Sequence, residues 1–260
     1  HSFPTRRSSD LLDKGLRPKH EIHIISENLL KHYDNKQLTD KYAMYQHLMD
    51  YWSPDGNNES MQDDFYEIAA DGWEAGNEVK RIEKKTKKGD KEIIKQVAGI
   101  EGLEGRLIPP KLMIQEYFAA EQRVIDDLEA HAETFNAKME ELKEEHAIEG
   151  GLLWEATEFN EEKKTYKITK SSLAKGIKEV GNRNEDNAEE FDMLASYKKL
   201  MNDEAAIQSK IKTAKAELEK KVIAQYSKLS IDEIKTIVVE KKWMANMEQR
   251  IRTEMDNISH

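Results

Sequence analysis

The chain contains no cysteine. Disulfides, thiolate zinc sites and a cysteine nucleophile are therefore excluded, which agrees with the reducing cytoplasm we expect it to occupy. No apolar run approaches the roughly 20 residues a helix needs to span a bilayer. The leading residues, HSFPTRRSSDL, lack the apolar stretch of a secretory signal. They resemble a translated sequencing-adapter peptide, and residues 1–16 are expected to form an adapter-derived, disordered leader. Internal repeats and low-complexity tracts are missing as well.

What the chain has in abundance is charge. Charged residues make up 35% of it against 38% hydrophobic, and the mean hydropathy is −0.84. That balance suits long, solvent-bathed helices better than a compact α/β globule with a buried sheet. A net charge of −10 argues against a protein that coats nucleic acid, although it leaves room for a local basic site.

Periodicity predicts a mainly α protein. A helix follows Pro18, with Ile22, Ile25, Leu29 and Leu30 on one face. A turn near Asn35 leads to a helix capped by Thr39 or Asp40 that carries Met44, Tyr45, Leu48, Met49 and Trp52. Ser53–Asn58 reads as a loop, and Met61–Ala70 as either a short helix or a strand. Val79–Ile82 and Glu92–Val97 read as strands of a β-hairpin around the charged tip TKKGDK. These elements form an aromatic-rich subdomain over residues 17–110.

Residues 111–260 are expected to be a long-helix, coiled-coil region. Phe118, Ile125, Leu128, Ala132, Phe135, Met139, Leu142 and His146 follow heptad stepping, interrupted at Glu121, with Gly150–Gly151 as the C-cap. A short helix is expected near Ser171–Val180. A second stripe of Met193, Tyr197, Leu200, Ile207, Ile211, Ala214 and Leu218 could bury the first as an antiparallel coiled-coil hairpin. Ser230–Glu233 is a capping box opening a last helix with Ile234, Ile237, Val238, Trp243, Met247 and Ile251.

The aromatics Tyr42, Tyr45, Tyr51, Trp52, Phe65, Tyr66 and Trp73 are crowded into one segment, which reads as a small core or a partner-binding face. Lys84, Lys85, Lys87 and Lys88 form a basic cluster, read as a solvated hairpin tip or as a site of DNA phosphate contact. His20 and His23, with Glu27 a turn onward, have zinc-like helical spacing, but no third convincing ligand is nearby, so solvated imidazoles are the preferred reading. Asp63–Asp64 could chelate a hard cation, but a helix cap or an interface pair is the better reading. No Ser/His/Asp arrangement has supporting context for nucleophilic catalysis.

The strings YxxYQHLMDYW, MQDDFYEIAADGW, LIPPKLMIQEYFAAEQ and SIDEIKTIVVEKKWM resemble the C-terminal portion of the modification subunit of type I restriction–modification systems, a family of adenine-N6 DNA methyltransferases. The resemblance runs from about Arg17 to about Ile258. Two departures are a longer link over Ser53–Ser60 and a stop at His260 inside a helical pattern, so that both ends read as cut. The resemblance implies a parent enzyme using S-adenosylmethionine and assembling with a specificity subunit and a restriction subunit on DNA.

The chemistry of methyl transfer has no counterpart here. It needs a Gly-bearing cofactor loop and an Asn/Asp-Pro-Pro-aromatic string that holds an extruded adenine. The one Pro-Pro pair, Pro109–Pro110, stands between Ile108 and Lys111. No catalytic, cofactor or metal residue is therefore assigned, and the fragment is expected to be non-catalytic. The expected partner contacts are Tyr45, Met49, Tyr51, Trp52, Phe65, Tyr66, Trp73, Ile125, Leu128, Phe135, Met139 and Leu142. The alternative reading is a stand-alone coiled-coil scaffold or adaptor.

Overall fold

The computed structural model describes residues 12–33, 41–53, 60–88, 91–160 and 165–259. It is mainly helical, with three separate two-stranded antiparallel sheets among the described residues. None of the described helices is long and apolar enough to cross a membrane. The chain divides into two compact units, one of residues 1–119 with 218–260, the other of residues 120–217. The expected division at residue 110 is corrected in one respect: the last helix belongs with the N-terminal residues, because its apolar stripe completes their core.

The first unit opens with α1 (Pro18–Tyr33), α2 (Lys41–Trp52) and α3 (Met61–Asp71). Met61–Asp71 resolves as a helix because Ser60 Oγ accepts the Asp63 backbone N–H, satisfying one of the free donors at its start. The expected turn at Asn35, the Thr39/Asp40 cap and most of the Ser53–Asn58 loop lie outside the described residues. Residues 12–16, expected to belong to the leader, are in place. Leu12 is buried, its carbonyl accepts the Trp73 indole N–H at 2.6 Å, and Gly15 N donates to Ala69 O at 2.8 Å.

The strands pair differently from expectation. β1 (Val79–Arg81) pairs with β4 (Leu103–Gly105), while β2 (Glu83–Lys88) pairs with β3 (Lys91–Gln96) as the hairpin. Ile82 is the junction: its N–H donates to Gly102 O and its carbonyl accepts from Val97 N. The chain thus changes partner at one residue, a switch that strand periodicity cannot report.

After α4 (Pro110–Tyr117), the unit is completed by the last turns of α7 (Ala188–Tyr226), by α8 (Ile231–Thr236), by a π-helical segment (Ile237–Met244) and by α9 (Ala245–Ser259). The capping box at Ser230 and Glu233 forms as expected. Glu233 also accepts from the Tyr117 hydroxyl at 3.2 Å; burial first, then this carboxylate, pushes the Tyr117 phenol up to about 12. The π segment, whose backbone bonds span five residues rather than four, carries Trp243 into the core. There the indole stacks on Phe65 at 5.0 Å, with Trp73 at 6.3 Å, and Trp52 meets Phe65 edge-on at 5.1 Å. Fully burying side chains of this size stabilises by about 2–3 kcal/mol each.

Gly105 allows a close backbone approach in this unit. A Cβ there would run into the Ile108 carbonyl and lie 2.7 Å from the Tyr226 hydroxyl, which itself donates to Ile108 O at 2.6 Å.

The second unit holds most of α5 (Ala119–His146), the hairpin β5 (Thr157–Asn160) and β6 (Thr165–Ile168), α6 (Lys170–Val180) and the greater part of α7. Leu153, Ala156, Leu173, Leu194 and Tyr197 form its core, with Met139 and Leu142 of α5 packed against it. A capping box of Thr169 and Ser172 starts α6. The helix α5 ends at His146, whose carbonyl accepts from Leu153 N. Gly150, with φ of 79°, lies in the turn that follows, so the glycine pair serves that turn rather than capping the helix.

Candidate docking groove and basic ribbon

In the second unit, Met139 and Leu142 of α5 pack against a core that includes Leu194 and Tyr197 of α7. On α5, Ile125 and Ala132 are buried while Leu128, Phe135, Met139 and Leu142 are half-buried. On α7, Leu194, Tyr197 and Ile211 are buried, with Met193, Leu200 and Ile207 half-buried. Burial pushes the Tyr197 phenol up, and the Glu140 charge adds to this. Glu129 of α5 is ion-paired with Lys215 of α7.

Of the half-buried residues, Phe135, Leu142, Met193 and Leu200 line a groove of about 710 Å³. Its apolar floor is Phe135, Leu142, Leu152, Met193 and Leu200, and its rim holds Glu189, Asp192, Asp203 and Lys199. Asp192 is held by a two-point contact with Arg183, at 2.9 Å for each bond. That contact keeps the Asp192 carboxyl below the usual carboxylate range. The rim is thus predominantly acidic, and the floor is apolar.

The aromatic segment has a different fate. Tyr51, Trp52, Phe65 and Trp73 are interior to the first unit and present no face to a partner. The Arg250 guanidinium covers the Tyr51 ring at 5.5 Å, and the Lys235 ammonium lies 5.9 Å from the Trp73 ring. Tyr45 and Met49 are half-buried, and of the expected contact residues in this segment Tyr66 stands out, at 47% exposed. The core reading of the cluster is the one the rings follow.

Comparison of the chain with known protein families, curated proteins and solved structures finds no match.

A polar cleft of about 310 Å³ in the first unit is lined by Ser60, Asp63, Asp64, Glu67, Lys80, Glu104, Arg106 and Lys242. Asp64 is only 3% exposed. It accepts from the Lys242 ammonium at 2.8 Å and from the Trp243 indole at 2.7 Å, while Lys242 also donates to Leu107 O at 2.9 Å. Arg106 binds Glu67, Asp71 and Glu78 together, which raises its own pKa and lowers that of Asp71. Charge here meets opposite charge within the unit, so the cleft reads as a structural lock. Asp63 takes part as the donor to the Ser60 cap, and Asp64 is an internal ion pair rather than a cation ligand.

His20 and His23 are exposed on α1. No group of three or more metal-ligating side chains converges among the described residues. Lys84 and Lys85 are exposed on β2, and Lys87 and Lys88 follow them in register opposite Glu92 and Lys91. Reading the sequence did not foresee the groove rim or the Asp64–Lys242 pair. The rim acids lie on the predicted α7 helix and could have been found by projecting charge beside its apolar stripe. The pair joins residues 178 positions apart and left no local signal.

Proposed function

We propose that the chain is the non-catalytic C-terminal assembly region of a type I modification subunit, and that it docks on a helix of the specificity subunit. In this reading α5 and α7 form an antiparallel coiled-coil hairpin whose open side is the groove. The observation that carries the proposal is that groove: Phe135, Leu142, Met193 and Leu200 remain only half-covered on long charged helices, beside an acidic rim. A partner helix with an apolar stripe and Lys or Arg at its flanks would bury the floor and neutralise the rim. The sequence strings that resemble the family supply the partner's identity. Methyl transfer from S-adenosylmethionine to adenine, contact with the restriction subunit and residence in the cytoplasm belong to the assembled parent enzyme.

The test is titration of the purified chain with the specificity subunit encoded beside its gene. The double variant Phe135→Asp/Leu200→Asp is expected to bind at least about tenfold more weakly, since two buried apolar contacts become desolvated charges. A control at Tyr66, outside the groove, should leave affinity unchanged. Undiminished binding by the double variant would remove the groove from the interface. Failure of the unsubstituted chain to bind would favour a stand-alone scaffold.

A further inference from the structure

The groove of the second unit carries its charge unevenly along its length. Its α7 wall presents Glu189, Asp192, Ser196, Lys199 and Asp203, spaced three and four apart, so they form one row along the helix. Asp192 is already committed to Arg183. Lys199 lies one turn before Asp203 and balances that end of the row. Glu189, at the other end, meets no cation in the row until Lys199, ten positions on. The floor has a spacing of its own. Phe135 and Leu142 on α5 are seven positions apart, as are Met193 and Leu200 on α7. At about 1.5 Å per residue, each wall offers apolar side chains in two layers roughly 10 Å apart. A third helix with a heptad stripe repeats at that interval, whereas side chains on one face of a strand recur every 6–7 Å or so.

We propose that the groove takes one partner helix lying antiparallel to α7, with cations in its last turns over Glu189 and an acid nearer its start against Lys199. Glu129 of α5 is paired with Lys215 of α7, while Met139 and Leu142 pack with Leu194 and Tyr197, so the two walls run in opposite directions. Any third helix is then parallel to one wall and antiparallel to the other, and the rim charges decide which. In the proposed direction the partner's cations lie at its C-terminal end and its acids at its N-terminal end, where each also suits the partner's own helix dipole. In the reverse direction the same contacts would set both charges against that dipole. A second copy of this chain is a poor occupant, because two such rims set acid against acid and the net charge of −10 adds to the repulsion. The inference rests on the reading of the groove as a helix-docking face and adds the partner's direction and charge order.

The probe is a designed helical peptide of about 18 residues, with leucines on a heptad stripe, glutamates in its first turns and lysines in its last. It is made with one cysteine at its N-terminus or one at its C-terminus. The chain has no cysteine, so Glu185→Cys, in the turn just before α7 at the Glu189 end, supplies a single thiol. Disulfide trapping in a glutathione buffer reports which end of the peptide lies there. The C-terminal version is expected to trap at least about fivefold more than the N-terminal one. Adding Glu189→Lys and Lys199→Glu, both at exposed positions, should reverse the preference, because the same peptide turns round to match the exchanged charges. One preference in both chains, equal trapping of the two ends, or no binding of the peptide to the unsubstituted chain would overturn the proposal. Trapping that survives Phe135→Asp/Leu200→Asp would place the peptide outside the groove and defeat it equally. A dimer of the unsubstituted chain that the peptide dissociates would give the groove to a second copy and do the same. The specificity subunit is absent from every arm, so the titration with that subunit stands or falls separately.

Discussion

Replacing Asp64 with Ala tests the central lock of the first unit. The carboxylate is almost wholly buried and takes hydrogen bonds from the Lys242 ammonium at 2.8 Å and the Trp243 indole at 2.7 Å. Its removal leaves the ammonium with the Leu107 carbonyl but without its counter-charge. Breaking a buried pair from one side costs about 3–5 kcal/mol. An indole donor left without an acceptor costs about 1–3 kcal/mol. The two overlap, because the cavity left by the side chain lets some water reach both donors, so a combined loss of about 4–6 kcal/mol is expected. That is a large part of the roughly 5–15 kcal/mol available to a typical domain. Urea unfolding in a Trp154→Phe background isolates the signal, since Trp52, Trp73 and Trp243 all lie in the first unit. The double variant Asp64→Leu/Lys242→Met provides the internal check. With both charges gone, no ion is stranded, and the loss should be smaller than for Asp64→Ala alone. A loss below about 1 kcal/mol for Asp64→Ala, or a double variant worse than the single, would refute the account of an ion pair held in a dry site.

Two further outcomes follow from the same unit. Gly105→Ala should destabilise it by about 2–3 kcal/mol, because the added methyl meets the Ile108 carbonyl and the Tyr226 hydroxyl; a thermal melt unchanged from the parent would contradict that packing. Ser230→Ala should cost about 1 kcal/mol at neutral pH by removing the helix cap. Hydrogen bonds from Ser230, the backbone N–H first and then the hydroxyl, hold Glu233 below the ordinary glutamate range. A lowered folded value means the carboxylate's share of stability is complete above the unfolded range and is lost as pH falls through the folded one. The Ser230→Ala penalty should therefore narrow in acid, and a penalty independent of pH would argue against the hydroxyl–carboxylate bond at 2.8 Å.

Local pattern carried much of the helical architecture. The apolar stepping from Ile22 to Leu30, the heptad from Ile125 to Leu142, the stripe from Met193 to Leu218 and the box at Ser230 each lie within a few turns of one helix, where spacing alone sets the outcome. The last stripe even held a clue to the π segment, since Val238 to Trp243 is a step of five where an α-helix would take three or four. Strand partners were less legible. Val79–Arg81 is too short for its alternation to choose between Leu103–Gly105 and the hairpin, and the choice turns on the single bonded junction at Ile82. The β5–β6 hairpin was missed because each strand is only four residues long, too short for the alternation of Glu158 with Phe159, or of Lys167 with Tyr166 and Ile168, to stand out. For the candidate sites, four of the groove-floor residues, Phe135, Leu142, Met193 and Leu200, were visible on the two stripes, and the lysine cluster was visible as composition. Which lysines share a face was not, because that depends on register.

The interleaving of the first unit has a consequence during synthesis. Asp64 leaves the ribosome long before Lys242, 178 residues later. At about 5–20 residues per second the delay is roughly 10–35 s. Throughout that interval Phe65 lacks its stacking indole and the acid lacks its cation, so the nascent N-terminal helices must wait in an incomplete, chaperone-accessible state until the closing segment arrives.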